Sequence, residues 1–581
     1  MTAVEKLVTD HLDLWTSAIK RKSAAGRGSS KKIELYGIKK LRELILELAV
    51  RGMLLPQDPK DEPASELLKK ISAERTKLVK EGRIKKEKPQ PPIDEEDKPL
   101  QLPNGWEWVR LSDIGYNFGQ KIPDDDFTYI DVGSINSKFG LINDPTPLSA
   151  KEAPARARKI VKQGSVIYST VRPYLLNIAI IQETFVPEPI ASTAFAVVHP
   201  FKGVSSDYLY YYLRSPVFVS YVESVQNGIA YPAINDRQFF SGLLPLPPTS
   251  EQQRIGARVD ELMALCDQLE QQTEASLKAH QTLVENLLNA LINAADYAQF
   301  SSAWQRIVVH FDTLFTTEQS IDQLKQTFLQ LAVLGKLAPQ DPKDEPASEL
   351  LKKISAEKAK LIKEGKIKKE KPLRPIGDEE KPFELPVGWA WARFPELGDF
   401  GRGKSKYRPR NDPKLFNPGI YPLVQTGEVA RANNVIHEYH SKYSEFGLAQ
   451  SRMWPSGTLC ITIAANIADS ALLGFDACFP DSVVGFIPCK PLDDASYFLA
   501  FMKTARENLI KFAPATAQKN INLEILESVL IPIPPKNEIS RISSKIDELM
   551  ALCDQLKARL NDTQTIQLHL ADAMAEKALA S

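Results

Sequence analysis

The sequence contains a block of 19 residues that occurs twice without a single change. The block, PQDPKDEPASELLKKISAE, fills positions 56–74 and 339–357, an offset of 283 residues. A second block, DELMALCDQL, fills positions 260–269 and 547–556 at an offset of 287 residues. Between the two blocks the copies share almost no identity. Such an offset, maintained along the chain, indicates an internal repeat, so the chain is a tandem duplication in which constant blocks flank variable segments.

Length and composition limit the class of protein. A chain of 581 residues has room for about four domains of ordinary size. Basic and acidic residues balance at 73 each, so any surface that binds nucleic acid must be local. Five cysteines without a CxxC pair favour a reducing compartment over disulfides or a thiolate zinc site. Because there is no signal-peptide pattern and no run of 18 apolar residues, we expect a soluble cytoplasmic protein without a membrane partner.

Apolar periodicity predicts helices in the constant parts. An amphipathic helix is expected over residues 4–20 and a stronger one over 33–51, with a basic loop rich in Gly and Ser between them. The prolines of PQDPKDEP forbid helix continuation, and Ser65 and Ser348 are candidates to cap the helix that follows. Each copy then closes with a long helix of heptad spacing, over about 251–295 in the first copy.

The heptad seams can be buried in two ways. Because the copies are duplicates, their long helices can pair with each other antiparallel, with one variable domain at each end. Alternatively, each seam binds a separate partner chain. We favour pairing within the chain.

The variable segments have the pattern of α/β domains. Short β-rich runs at 164–171 and 457–464 are bounded by turn residues, and helical patches follow at 207–213 and 495–502. We therefore predict an α/β (α+β) fold with two globular domains separated by long helices in an antiparallel coiled coil. The predicted divisions are an N-terminal helical region (1–103), a first variable domain (104–249), a central constant region (250–386), a second variable domain (387–536) and a C-terminal long helix (537–581).

Two segments resemble catalytic motifs, but neither has the sequence context that the motif requires. Residues 398–405, GDFGRGKS, match the phosphate-loop pattern, but the prolines at 395, 409 and 413 leave no place for the helix that must receive the phosphate. The segment HEYH at 437–440 is too short for the zincin pattern and has no matching ligand set. We find no methyl-donor loop, methylase signature, nucleophile triad or paired carboxylates. The sequence predicts a non-catalytic chain with no metal site and no cofactor of its own.

Basic and polar clusters inside the variable domains are the candidate DNA contacts. By sequence, 104–249 holds 12 basic and 13 acidic residues and 387–536 holds 16 and 14, so neither domain is basic overall and a solvated surface is the competing interpretation. Arginine, lysine, asparagine and glutamine suit phosphate contact and base readout in the major groove. The candidates in the first domain are Arg156, Arg158, Lys159, Lys162, Arg172, Tyr174, Asn177, Tyr231 and Asn235. Those in the second are Arg402, Lys404, Lys406, Arg408, Arg410, Gln518, Lys519, Asn520 and Asn522. The polar residues beside the repeated Ile-Asn could alternatively cap a strand.

The arrangement resembles the specificity (S) subunit of type I restriction-modification systems. Two variable domains, each followed by a constant long helix, carry the resemblance across essentially the whole chain. The segments KLVTDHLDLWTSAIK, LYGIKKLRELILELAVRG and PQDPKDEPAS look like the subgroup with an extended N-terminal conserved region. The likeness is weak within the variable domains, as expected where the DNA targets differ.

The resemblance implies a function and a set of partners. Each variable domain would be a target-recognition domain that reads one half of a split, asymmetric sequence in double-stranded DNA. The paired helices would set the gap and hold two methyltransferase (M) subunits, and two restriction/translocase (R) subunits would join for cleavage. S-adenosylmethionine, ATP and Mg²⁺ would belong to those partners, and flipping of the target adenine would be their work.

Two rival hypotheses stay open at this stage. A coiled-coil adaptor whose variable domains bind proteins predicts no salt-dependent affinity for DNA. A single-chain methyltransferase or nuclease predicts turnover by the isolated chain, against the absence of a methyl-donor loop.

Overall fold

The fold is described from a computed structural model. It covers residues 10–21, 33–85, 90–228, 230–369, 373–464, 467–511 and 521–580. These residues divide into two compact units: unit 1 comprises 1–277 with 562–581, and unit 2 comprises 278–561. Most of the basic loop predicted between the first two helices, and residues 4–9 of the first predicted helix, lie outside the described residues. In the rest of that predicted helix, Leu12–Ser17 are helical and Lys20 begins a short strand.

Unit 1 begins with the N-terminal constant helices and continues into the first variable domain. Its helices before the long helix are α1 (Leu12–Ser17), α2 (Tyr36–Val50), α3 (Ala64–Lys80), α4 (Leu111–Ile114), α5 (Ser206–Arg214), α6 (Pro216–Val225) and α7 (Asp236–Ser241). Its strands are β1 (Lys20–Arg21), β2 (Ile33–Glu34), β3 (Glu107–Arg110), β4 (Gly115–Tyr116), β5 (Phe127–Ile130), β6 (Ile135–Asn136), β7 (Leu141–Ile142), β8 (Thr146–Leu148), β9 (Ala157–Ile160), β10 (Val166–Ser169), β11 (Ile178–Ile180), β12 (Pro189–Ser192), β13 (Phe195–Pro200) and β14 (Leu243–Leu246). The first long helix, α8, spans Thr249–Ile292 and crosses the unit boundary.

Unit 2 repeats this plan. Its helices after α8 are α9 (Tyr297–Val309), α10 (Phe311–Leu314), α11 (Glu318–Val333), α12 (Ala347–Lys363), α13 (Phe394–Leu397), α14 (Thr426–Arg431), α15 (Glu445–Ala449), α16 (Ser496–Lys511) and α17 (Leu523–Ser528). Its strands are β15 (Ala390–Arg393), β16 (Gly398–Arg402), β17 (Tyr421–Leu423), β18 (Val435–Ile436), β19 (Ser441–Tyr443), β20 (Met453–Trp454), β21 (Leu459–Thr462), β22 (Ser470–Leu473), β23 (Ala477–Cys478), β24 (Val483–Pro488) and β25 (Leu530–Ile533). The second long helix, α18 (Lys536–Ala580), ends the described chain.

The two variable domains share one sheet topology. In unit 1 the strand orders are β11-β10-β13-β4 and β8-β5-β12-β9, with β5 and β12 parallel. In unit 2 they are β18-β22-β21-β24-β16 and β19-β17-β23-β20, with β17 and β23 parallel. The orders match strand for strand, except that unit 2 adds β18 beside β22. The variable segments are therefore divergent copies of one domain, although their sequences show almost no identity.

Each variable domain is entered and left through one antiparallel pair of strands. In unit 1, β3 pairs with β14 from Glu107 opposite Leu246 to Arg110 opposite Leu243. In unit 2, β15 pairs with β25 over the corresponding four residues. The exit strands lead directly into α8 and α18, so the start of each long helix is tied to the entry of its own variable domain.

The long helices contribute to the cores of both units. In unit 1, Val259 and Cys266 of α8 share a core with Ala571 and Ala575 of α18 and with α2. In unit 2, later residues of α8, including Val284 and Leu288, share a core with α11 and with 549–560 of α18. The early part of α8 thus meets the late part of α18, and the later part of α8 meets an earlier part of α18. This order confirms the antiparallel pairing predicted from the heptads together with the duplication.

Some local expectations differ from the structure. Helices α3 and α12 have Pro63 and Pro346 at their N-cap positions and no side-chain cap, so Ser65 and Ser348 lie inside the first turn and do not cap it. Proline fits this place because the N-cap residue has φ values of −61° and −55° in the two copies, close to the value that its ring fixes. Among the described residues, no helix is both long and apolar enough to cross a membrane.

Candidate nucleic-acid interface

Backbone hydrogen bonds join four loops at one edge of the first variable domain. The amide of Thr193 donates to the carbonyl of Arg156, and that of Thr170 donates to Ala194, each at 2.8 Å. The amide of Arg172 donates to the carbonyl of Pro232, also at 2.8 Å. The loops that carry Arg156, Arg172 and Tyr231 are therefore neighbours, and we name this region the unit 1 edge.

Arg172 is held in an uncommon backbone conformation at the centre of the unit 1 edge. Its φ of 49° and ψ of 58° place it in the left-handed region, which costs a residue with a side chain on the order of 1 kcal/mol or more. Its guanidinium lies 4.8 Å from the centroid of the Tyr231 ring. Tyr231 is 70% exposed and Tyr174, on the same loop as Arg172, is 53% exposed. The unit 1 edge thus carries a half-buried cation over one exposed aromatic ring, with a second exposed ring on the same loop as the cation.

Lys159 and Asn235, which the sequence predicts as DNA contacts, have internal partners. Lys159 is 6% exposed, and its ammonium pairs with the carboxylate of Asp236. The side chain of Asn235 accepts a hydrogen bond from the amide of Gln238 at 2.9 Å and caps α7. The Lys159–Asp236 pair ties β9 to the start of α7, and Asn235 fixes the first turn of that helix, so both residues have supporting roles at the unit 1 edge.

The remaining candidates of the first domain are spread along it. Arg156 is exposed and Arg158 is half-buried, at the start of β9. Lys162 lies beyond the other end of β9, where its ammonium is 4.5 Å from the Phe118 ring. Asn177 is half-buried, and its carbonyl accepts from the amide of Ser169 at 3.0 Å. The structure brings Arg156, Arg158, Arg172, Tyr174 and Tyr231 towards one edge and leaves Lys162 away from it.

Lys162 belongs to a small aromatic group around His199. The ring centroids of Phe118 and His199 are 4.8 Å apart, and Ser165 Oγ is 3.1 Å from His199 Nδ1. Burial lowers the pKa of His199, and the charge of Lys162 lowers that pKa further. The lowered pKa favours the neutral imidazole, so this group is a packing feature of the domain.

The second variable domain has a matching edge. The amide of Ile463 donates to the carbonyl of Ser482 at 3.0 Å. The amide of Ile521 donates to the carbonyl of Ile463, also at 3.0 Å. In unit 1 the corresponding bonds run from Thr170 to Ala194 and from Ile234 to Thr170. The amide of Gly403 donates to Val483 at 2.8 Å and brings in the basic loop. We name these joined loops the unit 2 edge.

The basic loop of the unit 2 edge is exposed at every candidate position. Arg402, Lys404, Lys406, Arg408 and Arg410 are all exposed. Arg410 forms an ion pair with Asp481 at 2.8 Å, and Arg408 donates to the carbonyl of Ser405 at 2.6 Å. The loop therefore combines two cations with internal partners and three that extend into solvent without an ion pair among the described residues.

The repeated Ile-Asn has the same role in both domains. Asn522 accepts a hydrogen bond from the amide of Ile525 at 2.9 Å and caps α17, as Asn235 caps α7. The alternative that these residues cap a strand is therefore wrong, because each asparagine caps the first turn of a helix. Gln518, Lys519 and Asn520 lie outside the described residues and stay predictions.

The phosphate-loop match is not followed by the helix that such a loop requires. Gly403 to Ser405 continue from β16 into irregular chain, and no helix follows them before residue 413. A Cβ at Gly403 would lie 2.2 Å from the carbonyl oxygen of Phe479, so this glycine serves close packing. His440 is exposed beside Glu428, and no cluster of metal-ligating side chains occurs among the described residues.

Sequence reasoning missed the acidic residues of the two edges. Asp236 and Asp481 each neutralise one predicted DNA-contacting cation. Asp236 directly follows the repeated Ile-Asn, which was the signal available for it. Asp481 lies 71 positions from its partner Arg410, and no sequence spacing links the two.

Comparison with known proteins identifies the family. A family model described as Type I restriction modification DNA specificity domain matches residues 103–279 and 386–563. The type I restriction enzyme EcoAI specificity subunit of Escherichia coli is 41% identical, over 99% of this chain and 100% of that protein. The chain belongs to the type I specificity subunits. The EcoEI specificity subunit of E. coli is 40% identical, again over 99% of this chain and 100% of that protein.

A solved structure agrees on the fold. A chain from a study of complex assembly and conformational transition of the type I R-M system aligns with a TM-score of 0.51 and 22% identity, over 83% of this chain and 99% of that one. In this specificity subunit each family match contains one edge and the first part of one long helix. The two edges are therefore equivalent places in two copies of the family's domain.

Proposed function

We propose that this chain supplies the DNA sequence specificity of a type I restriction-modification complex in the cytoplasm. Each edge reads one half of a split, asymmetric target in double-stranded DNA. The observation that carries the proposal is the pair of edges itself: two domains of one topology present loops at the same place, with unrelated side chains on them. A fused pair of non-identical readers suits a target whose halves differ.

The chain does no chemistry in this proposal. It binds and orients DNA, and its partners supply S-adenosylmethionine-dependent methylation of an adenine and ATP- and Mg²⁺-dependent restriction. In the unit 1 edge, Arg172 and the aromatic rings of Tyr174 and Tyr231 are suited to phosphate contact and stacking. In the unit 2 edge, Arg402, Lys404 and Lys406 are exposed cations on one loop, which suits contact with DNA phosphates.

Two methyltransferase subunits and two restriction subunits complete the proposed complex. Support for a partner present twice comes from the second repeated block. Its positions Asp260, Glu261, Ala264, Leu265 and Gln268 lie on one outward face of α8, and their equivalents lie on α18; every one of the ten residues is exposed. Leu265 is 49% exposed and Leu552, its equivalent, 52%. Contacts within the chain involve the two equivalent glutamates, since Glu261 pairs with Arg258 and Glu548 with Lys545. They do not explain why the half-exposed leucines are the same in both copies.

The sequence identity between the two copies of this outward face ends where the second repeated block ends. Further along the same face, exposed Gln271 and Gln272 are replaced by Ala558 and Arg559, which are also exposed. The face is apolar at the leucine and acidic beside it, so it suits a protein segment and not DNA phosphate. One surface in two copies fits two copies of one protein.

The binding experiment uses the purified complex with its methyltransferase partner. Fluorescence anisotropy compares a duplex carrying the split motif with duplexes in which one half is scrambled, at about 0.15 M salt and above. We expect the full site to bind roughly a thousandfold or more tighter than the scrambled ones. Equal binding to all duplexes would refute the proposal, and the absence of any salt-dependent binding would favour the protein-binding adaptor.

The partner surface has its own test. Leu265→Asp should leave one methyltransferase copy bound instead of two, and the double variant with Leu552→Asp should leave none, as measured by mass photometry. Gln271→Glu, an exposed change outside the block, is the control. Full occupancy of the double variant would remove this face from the interface.

A further inference from the structure

A buried tryptophan–glutamate hydrogen bond joins each variable domain to the start of its long helix. In unit 1, the indole Nε1 of Trp106 donates to Glu251 Oε2 at 2.9 Å. In unit 2, Trp389 donates to Glu538 at 3.1 Å. Trp106 and Trp389 precede the entry strands, and the two glutamates lie in the first turns of α8 and α18. The bond therefore links the entry of the domain to the helix that follows its exit.

Two further contacts tie the same place to the first repeated block. Arg254 pairs with Asp61 at 2.5 Å in unit 1, and Arg541 pairs with Asp344 at 2.6 Å in unit 2. The amide of Ala64 donates to the carbonyl of Gly105 at 2.8 Å, and Ala347 donates to Gly388 at the same distance. The constant block thus contacts both the entry of the variable domain and the long helix.

In each unit a buried tyrosine also contacts the exit strand of the variable domain. The hydroxyl of Tyr208 in α5 donates to the carbonyl of Pro245 in the exit strand at 2.6 Å. Tyr497 in α16 donates to Pro532 at the same distance. All four contacts therefore recur in both units to within 0.2 Å, although the variable domains beyond them differ.

Burying these two glutamates costs more free energy than a purely structural contact would require. Glu251 is 2% exposed and Glu538 is 1% exposed. In each, the second oxygen, Oε1, is buried without a hydrogen-bond partner among the described residues. Burying a carboxylate that is only partly hydrogen-bonded opposes folding, so an apolar residue would pack there at lower cost. A direction-specific bond at this place in both units points to control of geometry.

We propose that Glu251 and Glu538, with their tryptophans, are positioning residues that fix the orientation of each variable domain on its long helix and so restrict recognition to one separation of the half-sites. This inference rests on the proposed function and goes beyond it. Without the bond, a domain can rotate about its strand pair, and its edge can then reach a half-site displaced by one base pair. The expected result is broader spacing tolerance with unchanged preference within each half-site.

The test measures methylation by the purified complex on duplexes whose half-sites are separated by the native gap or by one base pair more or less. For the wild type we expect methylation at the native gap to exceed that at its neighbours by at least a hundredfold. Glu251→Ala should reduce this ratio to about tenfold or less. Glu251→Gln should keep the wild-type ratio, because its amide oxygen still accepts the indole N–H.

Controls separate positioning from stability. Glu274→Ala removes an exposed carboxylate from the same helix and should leave the ratio unchanged. Trp106→Phe keeps an aromatic ring but loses the hydrogen-bond donor. It should lower the methylation ratio as Glu251→Ala does, and it provides the test if Glu251→Ala folds poorly. An unchanged ratio in a folded Trp106→Phe protein, or equal losses at all three gaps, would overturn the inference. A wild-type complex that ignores the half-sites would instead overturn the proposed function.

Discussion

The guanidinium of Arg172 lies over the ring of Tyr231, 4.8 Å from its centroid, although the two residues come from different loops. The Arg172 amide also donates to the carbonyl of Pro232, next to that tyrosine. The cation is thus oriented before any DNA arrives, which lowers the entropic cost of a contact. This pair is the best-defined feature of the unit 1 edge.

Replacing Arg172 with Ala should weaken binding through one half-site. We expect a loss of about 5- to 150-fold in affinity for the full site, corresponding to ~1–3 kcal/mol. The loss should vanish on a duplex in which the half read by unit 1 is scrambled. Tyr231→Phe keeps the ring under the guanidinium and serves as the control. Equal affinity of Arg172→Ala and wild type on the full site would exclude Arg172 from the contact.

Removing charge at Arg402, Lys404 and Arg408 together should weaken binding through the other half-site. If all three contact phosphates, the slope of log affinity against log salt should fall by about 2.7, roughly 0.9 for each contact. Salt titrations of anisotropy measure this slope. Lys352→Ala with Lys353→Ala removes exposed lysines from α12 and should leave the slope unchanged. A triple variant with the wild-type slope would show that none of these three side chains contacts a phosphate.

The buried glutamates should make stability depend on pH. Burial raises the pKa of Glu251 and of Glu538, and outweighs the hydrogen bonds from the tryptophans, which lower it. A carboxyl with a raised folded pKa stabilises the fold most below its unfolded pKa, and this contribution is lost as pH rises through the folded pKa.

The variant Glu251→Gln with Glu538→Gln lacks these two titrations. Its Tm relative to wild type should therefore increase between about pH 4 and pH 7, by on the order of 2–4 °C for each kcal/mol involved. Differential scanning fluorimetry across this range measures the difference. A Tm difference that is constant with pH would show that the carboxyls titrate normally.

The cysteines should be inert in the native protein. All five are buried and unpaired, and burial raises the pKa of Cys266 and of Cys553 to about 11. Since the thiolate is the reactive form, alkylation at pH 8 should be at least about 100-fold slower than for an exposed thiol. Mass spectrometry after iodoacetamide should find five labels in denaturant and almost none without it. Fast native labelling of Cys266 would show that the core of unit 1 opens.

The sequence predicted what periodicity and repetition encode. The identical blocks predicted the duplication, and heptad spacing predicted the antiparallel long helices. The runs around Val166 and Leu459 predicted buried strands, which are β10 and β21. These features follow from local patterns, which hydrophobic burial translates into elements with little ambiguity.

Contacts between distant loops could not be predicted in the same way. The sequence predicts that Lys159 is a surface cation beside Arg158. In β9, however, its side chain lies on the buried face and pairs with Asp236. The sequence predicts that the Asn235 amide contacts a base. Its position at the start of α7 instead makes it the N-cap of that helix. Tyr231 meets Arg172 only because β10 ends next to the loop before α7. Such pairings depend on tertiary packing, which a single sequence does not reveal.

The most direct test of the central claim is a genome-wide map of N6-methyladenine in cells that carry this gene with the genes of its partner subunits. The comparison is a strain that lacks this gene alone, with expression of the partner subunits verified. We predict that deletion removes methylation from one split, asymmetric motif and from no other sequence. An unchanged map would contradict the assignment of DNA specificity to this chain.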